Sequence, residues 1–203
     1  GGGLVGASLA LALSQLDFNV GLAEAVPFGH AQQTNDQPSF DERTTAISNG
    51  TQRIFAALGV WPLIERSAAP IKRIHVSDQG RFGFARIDAQ EQGLSQLGYV
   101  VVNRVMGSAL WRRLQETKVN VYAPARVTNL ELEDDCRVVT LDSDLQPIRA
   151  RLVIAADGAR STVRESAGVG ASTRDYEQTA IIANVACQKF HNHVAYERFT
   201  PEG

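Results

Sequence analysis

The first 24 residues contain an apolar run, a polar turn and a second, shorter apolar run, the order expected of the helix and the second strand of a strand–helix–strand unit. Residues 7–16 form an apolar run without proline or glycine, rich in leucine and alanine, which predicts a helix. Asp17, Phe18 and Asn19 then predict a turn into a short apolar strand that ends in the carboxylate of Glu24.

The middle of the chain mixes helical and alternating patterns. Thr44 or Thr45 is predicted to cap a helix that runs towards Leu58 and stops at Gly59, with Arg43 at its entrance. Residues 25–41 before it predict a long loop. The further predictions are a helical turn over 60–64, a hairpin over 71–87 around a Gln79-Gly80 turn, a polar loop over 88–97, a strand over 99–102 and a helix over 104–116.

The last third of the chain predicts mainly strands, over 119–123, 125–132, 136–141 and 148–156. The acidic triplet 133–135 indicates a hairpin turn rather than a metal site. Residues 180–186 and 193–199 predict a second hairpin with its bend at 189–192. His191 and His193 are interpreted as turn residues, because no third ligand lies within sequence reach.

Three glycines at the amino terminus have the spacing of a dinucleotide-binding loop. Gly1, Gly3 and Gly6 fit G-x-G-x-x-G, in which bare backbone approaches a pyrophosphate at a helix N-terminus. Glu24 follows Gly6 by 18 residues, close to the spacing of the acid that binds a ribose hydroxyl. An acid there favours FAD or NAD over NADP. The alternatives are a signal-peptide core and an amphipathic surface helix.

The same loop raises a question about the extent of the chain. A dinucleotide-binding unit has a strand before its first glycine, and the sequence begins at that glycine without an initiator methionine. We therefore expect a fragment of a longer protein.

A second candidate site follows the predicted strand at 152–156. Asp157 and Gly158 come directly after it and precede a predicted helix. Because ligands of open α/β folds bind at the carboxyl edge of the sheet, Asp157 is a candidate acceptor for a flavin ribityl hydroxyl. The alternative is an ordinary Asp-Gly turn.

Composition narrows the functional classes. A net charge of −2, 44% hydrophobic and 21% charged residues are typical of a globular protein and leave no basic stripe for nucleic acid. No apolar run reaches the roughly 18 residues of a membrane span. Cys136 and Cys187 are isolated, which predicts buried reduced thiols in a cytosolic protein and no metal site.

Together the glycine loop, Glu24 and the Asp157-Gly158…Ser161…Arg164 pattern resemble the class A flavoprotein monooxygenases of the para-hydroxybenzoate hydroxylase fold group. Within that family the chain is similar to the hydroxylases of ubiquinone biosynthesis. The stretches that carry this closer likeness are 40–43, 75–80, 182–186 and 196–200. The resemblance spans the whole chain but only the amino-terminal half of such an enzyme.

The resemblance implies an α/β fold, a three-layer Rossmann-like FAD-binding fold of the glutathione-reductase type with a β-sheet domain on the substrate side. The cofactor domain would comprise 1–70 and 98–172, and the substrate-side sheet 71–97 and 173–203. The residues implied to hold FAD are Gly1, Gly3 and Gly6 at the pyrophosphate, Glu24 at the adenosine ribose, Arg43 and Arg104 near the phosphate and ribityl region, Val127 through its backbone at the adenine, and Asp157 at the second fingerprint. The resemblance assigns no catalytic acid or base and no metal site to this chain.

The implied reaction is hydroxylation of a polyprenylated (methoxy)phenol by FAD, with NAD(P)H as electron donor and O2 as oxidant, through a flavin C4a-hydroperoxide. The implied enzyme is cytoplasmic, binds no nucleic acid and associates peripherally with a membrane or with a complex of ubiquinone biosynthesis. Two alternatives stay open: another FAD-dependent oxidoreductase of this fold (a reductase, oxidase or halogenase) and a non-catalytic nucleotide-binding module.

Overall fold

A computed structural model describes residues 1–27, 41–143 and 145–201 and divides into two units. The first unit comprises Gly1–Asp41 and Met106–Ile181, and the second comprises Glu42–Val105 and Ile182–Gly203. Most of the predicted loop at 25–41 lies outside the described residues. The division into a cofactor domain and a substrate-side sheet groups the residues differently from these units and stays a prediction.

The described part of the chain contains both helices and strands, with the strands mostly in consecutive runs. In chain order they are α1 (Leu4–Ser14), β1 (Gly21–Ala23), β2 (Thr44–Ser48), α2 (Asn49–Ala57), α3 (Trp61–Ile64), β3 (Ala69–Ile71), β4 (Arg73–Asp78), β5 (Phe84–Asp88), β6 (Gly98–Val102), α4 (Asn103–Gln115), β7 (Asn120–Tyr122), β8 (Val127–Leu132), β9 (Arg137–Leu141), β10 (Ile148–Ala150), α5 (Thr162–Ser166) and β11 (Val194–Phe199). Short 3-10 turns follow α3 and β5.

The first unit begins as the hydrophobic pattern predicts, with α1 leading into β1. Ala7, Ala10 and Leu11 bury one face of α1, and β1 pairs in parallel with β7. A separate antiparallel sheet has the order β10–β9–β8, and its hairpin at 133–135 confirms the predicted turn. Ala125, Val139 and Leu141 form a buried cluster against this sheet.

The second unit contains two three-stranded sheets, β2–β6–β3 and β11–β4–β5. The predicted hairpin around Gln79-Gly80 is confirmed, because β4 and β5 pair in antiparallel register from Arg73↔Asp88 to Ser77↔Phe84. The predicted helical turn is α3, where Trp61 packs on Tyr99 of β6 with ring centroids 4.5 Å apart.

The predicted helix from Thr44 or Thr45 is wrong at its start. Residues 44–48 form β2, which pairs with β6, and the helix begins only at Asn49. Ser48 caps it, since its side chain accepts a hydrogen bond from the Thr51 amide at 3.1 Å. The β-branched Thr44, Thr45 and Ile47 fit a strand, and pairing with a segment about 50 residues away decides their conformation.

The predicted hairpin of 180–186 with 193–199 is also wrong. β11 pairs in parallel with β4, and the described chain has no strand over 180–186, where Ile181 is 94% and Ile182 67% exposed. An apolar run predicts that a segment could form a strand but not which strand would lie alongside it. The predicted strand at 148–156 is confirmed only over β10, since residues 152–156 have no strand partner in the described part of the chain.

Neither cysteine forms a disulfide, and the prediction that both are buried is wrong. Cys136 is half-buried beside the β8–β9 turn, where its carbonyl accepts a hydrogen bond from the Glu133 amide at 3.0 Å, and Cys187 is exposed. His191 and His193 lie at a turn before β11, as predicted, and the His191 carbonyl accepts from the Val194 amide at 3.0 Å. Among the described residues no helix is long and apolar enough to cross a membrane, and no group of three or more His, Cys, Asp or Glu is placed to hold a metal ion.

Replacement of Gly98 by alanine is expected to destabilise the second unit. An added Cβ would lie 2.3 Å from the Ile47 carbonyl oxygen, because β2 approaches the bare backbone of β6 closely there. We expect a loss of about 1–3 kcal/mol in the free energy of unfolding, measured by urea denaturation. Gly170→Ala is the control, since nothing lies within 4 Å of its added Cβ. Equal stability of both variants would contradict the prediction.

Candidate cofactor site

The glycine loop leads into the N-terminus of α1. Gly3 is the N-cap residue, with φ −64° and ψ −176°, and no side chain caps the helix. The first complete turn closes when the Ala7 amide donates to the Gly3 carbonyl at 2.9 Å. The amides of the first turn are therefore available to an anion, and the helix dipole favours negative charge at this end.

Two glycines of the motif are required by close packing rather than by backbone angle. A Cβ on Gly6 would lie 1.8 Å from the Gly1 carbonyl oxygen and 3.2 Å from the Ala156 Cβ. A Cβ on Gly1 would lie 2.3 Å from the Ala156 carbonyl oxygen. The loop thus folds against α1 on one side and against the segment that precedes Asp157 on the other.

Glu24 is fixed at the end of β1 through both its backbone and its side chain. It is 8% exposed, its amide donates to the Tyr122 carbonyl at 2.9 Å and its carbonyl accepts from the Ala125 amide at 2.7 Å. One carboxylate oxygen accepts a hydrogen bond from the Gly2 amide, and the other accepts from the Val26 amide at 3.0 Å. The acid at the end of the strand therefore holds the glycine loop directly.

Asp157 is held by the first turn of α5. Its carboxylate accepts hydrogen bonds from the Ser161 hydroxyl and from the Val163 amide, the latter at 3.2 Å. Burial raises the pKa of Asp157, but hydrogen bonds to its carboxylate, among them those from Ser161 and Val163, favour the ionised form, and the net effect lowers the pKa below its ordinary value. Gly158 has φ 85°, a conformation that suits glycine and lets the chain turn directly after the acid.

The structure brings Glu24 and Asp157 to the same glycine loop. The Glu24 carboxylate bonds to Gly2, and the Asp157 Cα lies 2.9 Å from the position that a Cβ on Gly1 would take. The predicted site residues of the first unit, apart from Val127, thus form one constellation, and their roles toward a cofactor stay predictions.

The two predicted arginines lie in the second unit. Arg43 precedes β2 rather than entering a helix, which corrects the predicted placement, and its carbonyl accepts from the Asn103 amide at 2.8 Å. Arg104 lies in the first turn of α4, where its Nε donates to the Glu42 carboxylate at 2.5 Å. This hydrogen bond raises the pKa of the Arg104 guanidinium. The predicted contacts of both arginines with the cofactor stay predictions.

Val127 opens β8 at a point where the ladder with β9 is irregular. It pairs with Leu141, and the register shifts between Val127 and Asn129. Its side chain packs on the buried cluster of the first unit. The prediction that its backbone contacts the adenine stays a prediction.

Three contributors to the site were not singled out from the sequence. They are the Gly2 amide, the small side chain of Ala156 and the bonding of Ser161 to Asp157. The signals were present as a third glycine inside the motif, an alanine directly before Asp157, and a serine at the cap of α5. The distances that give these residues their roles depend on packing between segments that are far apart in the sequence.

Acid is expected to destabilise the wild-type chain more than its Asp157→Asn variant. The pKa of Asp157 is lower in the folded state than in the unfolded state, so its ionised carboxylate contributes to the free energy of unfolding. This contribution is complete above the unfolded carboxyl pKa of about 3.9 and is lost as pH falls through the folded-state pKa. Urea unfolding at about pH 6 and about pH 3 measures the difference. Equal losses of stability in the two proteins between these pH values would contradict the prediction.

The sequence of the chain is similar to ubiquinone hydroxylases along its whole length. It is 40% identical over 204 residues to ubiquinone hydroxylase UbiL of Rhodospirillum rubrum, covering 100% of this chain and 46% of that protein. It is 36% identical over 208 residues to the 3-demethoxyubiquinol 3-hydroxylase of Escherichia coli, covering 100% of this chain and 51% of that protein. The chain spans about half the length of the relatives it matches.

Solved structures share the fold. A crystal structure of p-nitrophenol 4-monooxygenase PnpA from Pseudomonas putida aligns with a TM-score of 0.66 at 22% identity, over 83% of this chain and 42% of that one. The flavin-dependent monooxygenase PieE, solved in complex with FAD and substrate, aligns with a TM-score of 0.64 at 21% identity, over 83% of this chain and 31% of that one.

One family model covers the glycine loop, the acid at the end of β1 and the Asp-Gly turn. The FAD binding domain family matches residues 1–200, nearly the whole sequence, and includes all the predicted site residues. The chain belongs to the FAD binding domain family.

Proposed function

We propose that the protein carrying this chain is an FAD-dependent monooxygenase that hydroxylates a polyprenylated (methoxy)phenol in ubiquinone biosynthesis, with NAD(P)H as electron donor. The names of its relatives support the substrate class, since ubiquinone hydroxylase UbiL and 3-demethoxyubiquinol 3-hydroxylase match all of the chain. The family supports the cofactor.

The observation that carries the proposal is the meeting of the glycine loop with Glu24 and Asp157. The residues fit FAD, because a Cβ on Gly1 or Gly6 would fill the space where backbone meets backbone, and α1 begins without a side-chain cap. Bare amides at a helix N-terminus suit a pyrophosphate, and two carboxylates at the same loop suit hydroxyl groups on either side of it.

Each site residue has a distinct task toward the bound cofactor. The amides at the start of α1 would bind the pyrophosphate, while Glu24, which already accepts one amide at each oxygen, keeps lone pairs for the ribose hydroxyls. Asp157 keeps the same capacity for a ribityl hydroxyl. The resemblance assigns Arg43 and Arg104 to the phosphate and ribityl region, and Arg104 is already paired with Glu42.

The cofactor supplies the redox chemistry. FAD, when bound, takes a hydride from NAD(P)H and activates O2 for transfer of one oxygen atom to an electron-rich ring. The residues of this chain bind and orient the cofactor. Ser161 contributes by holding Asp157 ionised and in place, since its hydroxyl donates to that carboxylate.

The proposal is tested on the full-length protein. We expect a flavin absorbance spectrum after purification, NAD(P)H oxidation stimulated by a short-chain prenylated methoxyphenol, and a product heavier by one oxygen atom in mass spectrometry. Bound flavin with NAD(P)H oxidation but no hydroxylated product would favour a reductase or oxidase of the same fold. A protein that neither retains nor binds FAD would favour a non-catalytic module.

A further inference from the structure

The glycine loop links two acids that are far apart in the sequence. The buried Gly2 amide donates to the Glu24 carboxylate. Gly1, its neighbour in the chain, lies against the backbone of the segment that carries Asp157, since a Cβ on Gly1 would lie 2.3 Å from the Ala156 carbonyl oxygen and 2.9 Å from the Asp157 Cα. A single peptide unit therefore joins the contact with Glu24 to the contact with Asp157.

The start of α1 confines the same peptide unit from another direction. A Cβ on Gly6 would lie 1.8 Å from the Gly1 carbonyl oxygen and 3.2 Å from the Ala156 Cβ. Backbone packed this closely transmits a displacement to its neighbours, because it has no free volume in which to absorb the displacement. A shift of the loop at Gly2 is therefore passed on to the segment that carries Asp157.

The Asp157 carboxylate is in turn fixed to the turn that follows it. It accepts hydrogen bonds from the Ser161 hydroxyl and from the Val163 amide, the latter at 3.2 Å. Ser161 is 5% exposed and accepts from the Arg164 amide at 3.0 Å. The amides of Val163 and Arg164 are protected from solvent exchange only while these acceptors stay in place, so their exchange rates report the position of Asp157.

We propose that Glu24 is also a positioning residue for Asp157, because it anchors the glycine loop against which the Asp157 segment packs. The inference rests on the proposed function and deepens it, since the acid assigned to the adenosine ribose then sets the position of the acid assigned to the ribityl chain. Coupling between two binding positions is reciprocal, so a ligand at one acid favours binding at the other. The two halves of FAD are then bound as one energetic unit.

Hydrogen exchange in the full-length protein without FAD tests the coupling. In Glu24→Ala we expect amide exchange in a peptide covering 157–166 to accelerate about tenfold relative to exchange in β9, the central strand of a sheet in the same unit. Glu24→Gln keeps one acceptor oxygen and should show a smaller acceleration. Glu91→Ala removes an exposed acid of the second unit and should exchange as wild type. Equal exchange of this peptide, relative to β9, in wild type and Glu24→Ala would overturn the proposal.

ADP provides a second test, because it has the adenosine ribose and the pyrophosphate of FAD but no ribityl chain. We expect ADP to slow exchange over 157–166 about threefold in wild type and to have no such effect in Glu24→Ala. Conversely, Asp157→Asn should weaken ADP binding about fivefold in isothermal titration. Loss of a negative charge would by itself strengthen the binding of an anion, so the direction of the change separates positioning from charge.

Glu165→Gln is the matched control for Asp157→Asn. It removes one negative charge from α5 at a side chain that is 72% exposed, and it should bind ADP as wild type does. Binding of ADP to Asp157→Asn that is as tight as to wild type, or tighter, would overturn the proposal. This comparison needs no variant of Glu24 and therefore decides the matter even if Glu24→Ala does not fold.

Failure of this inference and failure of the proposed function give different results. A wild-type protein that binds neither ADP nor FAD would contradict the proposed function, and the exchange of the Glu24 variants without ligand would still decide the coupling. Hydroxylation by wild type together with unchanged exchange over 157–166 in Glu24→Ala would contradict the positioning role alone.

Discussion

Gly6→Ala is expected to abolish FAD binding by the full-length protein. The added Cβ would lie 1.8 Å from the Gly1 carbonyl oxygen, and backbone on one side with the Ala156 side chain on the other leaves it no room. To relieve this clash, the glycine loop must move away from α1. The loop and the amides at the N-terminus of α1 then no longer form one binding site for the pyrophosphate. We also expect a loss of about 3 kcal/mol in the free energy of unfolding, at the upper end of the usual cost of overpacking. Flavin absorbance per protein and urea denaturation measure the two effects.

The matched control is Gly50→Ala, in the first turn of α2. Its added Cβ would meet only the Ser48 hydroxyl oxygen at 3.5 Å, an ordinary contact. Because alanine is the better helix former by about 1 kcal/mol, this variant should be as stable as wild type or more stable and should keep its FAD. Normal flavin content in Gly6→Ala would contradict the role we give to the close packing of the loop.

Glu24→Ala is expected to weaken FAD binding about a hundredfold and to destabilise the apoprotein at the same time. Removing the carboxylate leaves the buried Gly2 amide and the part-buried Val26 amide without their acceptor, at a cost of about 1–3 kcal/mol for the buried donor and less for the other. The ribose would lose its acceptor as well. Isothermal titration with FAD and urea denaturation of the apoprotein separate the two losses.

Two further variants serve as an intermediate case and as a control for Glu24→Ala. Glu24→Gln keeps the shape and one acceptor oxygen, so its loss of stability should lie between those of wild type and Glu24→Ala. Glu91→Ala removes an exposed acid of the second unit and should change neither quantity. Wild-type stability of the Glu24→Ala apoprotein would show that the acid does not hold the loop, whatever its role toward ribose.

The local parts of the site could be predicted from the sequence, because each depends on a short pattern. The spacing of Gly1, Gly3 and Gly6 predicted a helix N-terminus with close backbone contacts, and the structure has both. The interval from Gly6 to Glu24 predicted an acid at the end of β1, and Glu24 is buried there. The bond from Gly2 to Glu24 lay beyond prediction, since no pattern tells which amide a carboxylate will meet.

The errors in the fold concern segments whose conformation depends on distant partners. Threonine is common both at helix N-caps and in strands, so local propensity does not decide the conformation of Thr44 and Thr45. Pairing with β6 places both residues in a strand. Residues 180–186 form an apolar run typical of a strand, yet β11 pairs with β4 instead. Strand partners are chosen across the chain, where local propensity carries little information.

Each of the two units is assembled from two separated stretches of sequence, and the boundaries fall after residues 41, 105 and 181. A polypeptide that ended at residue 105 would lack β11, the parallel neighbour of β4, and would deprive β1 of β7. The pairing of β1 with β7 and of β4 with β11 can therefore form only after the later residues have been synthesised. We expect folding that depends on such distant pairings to be slow, because the loops between the paired segments must close before the strand contacts can form.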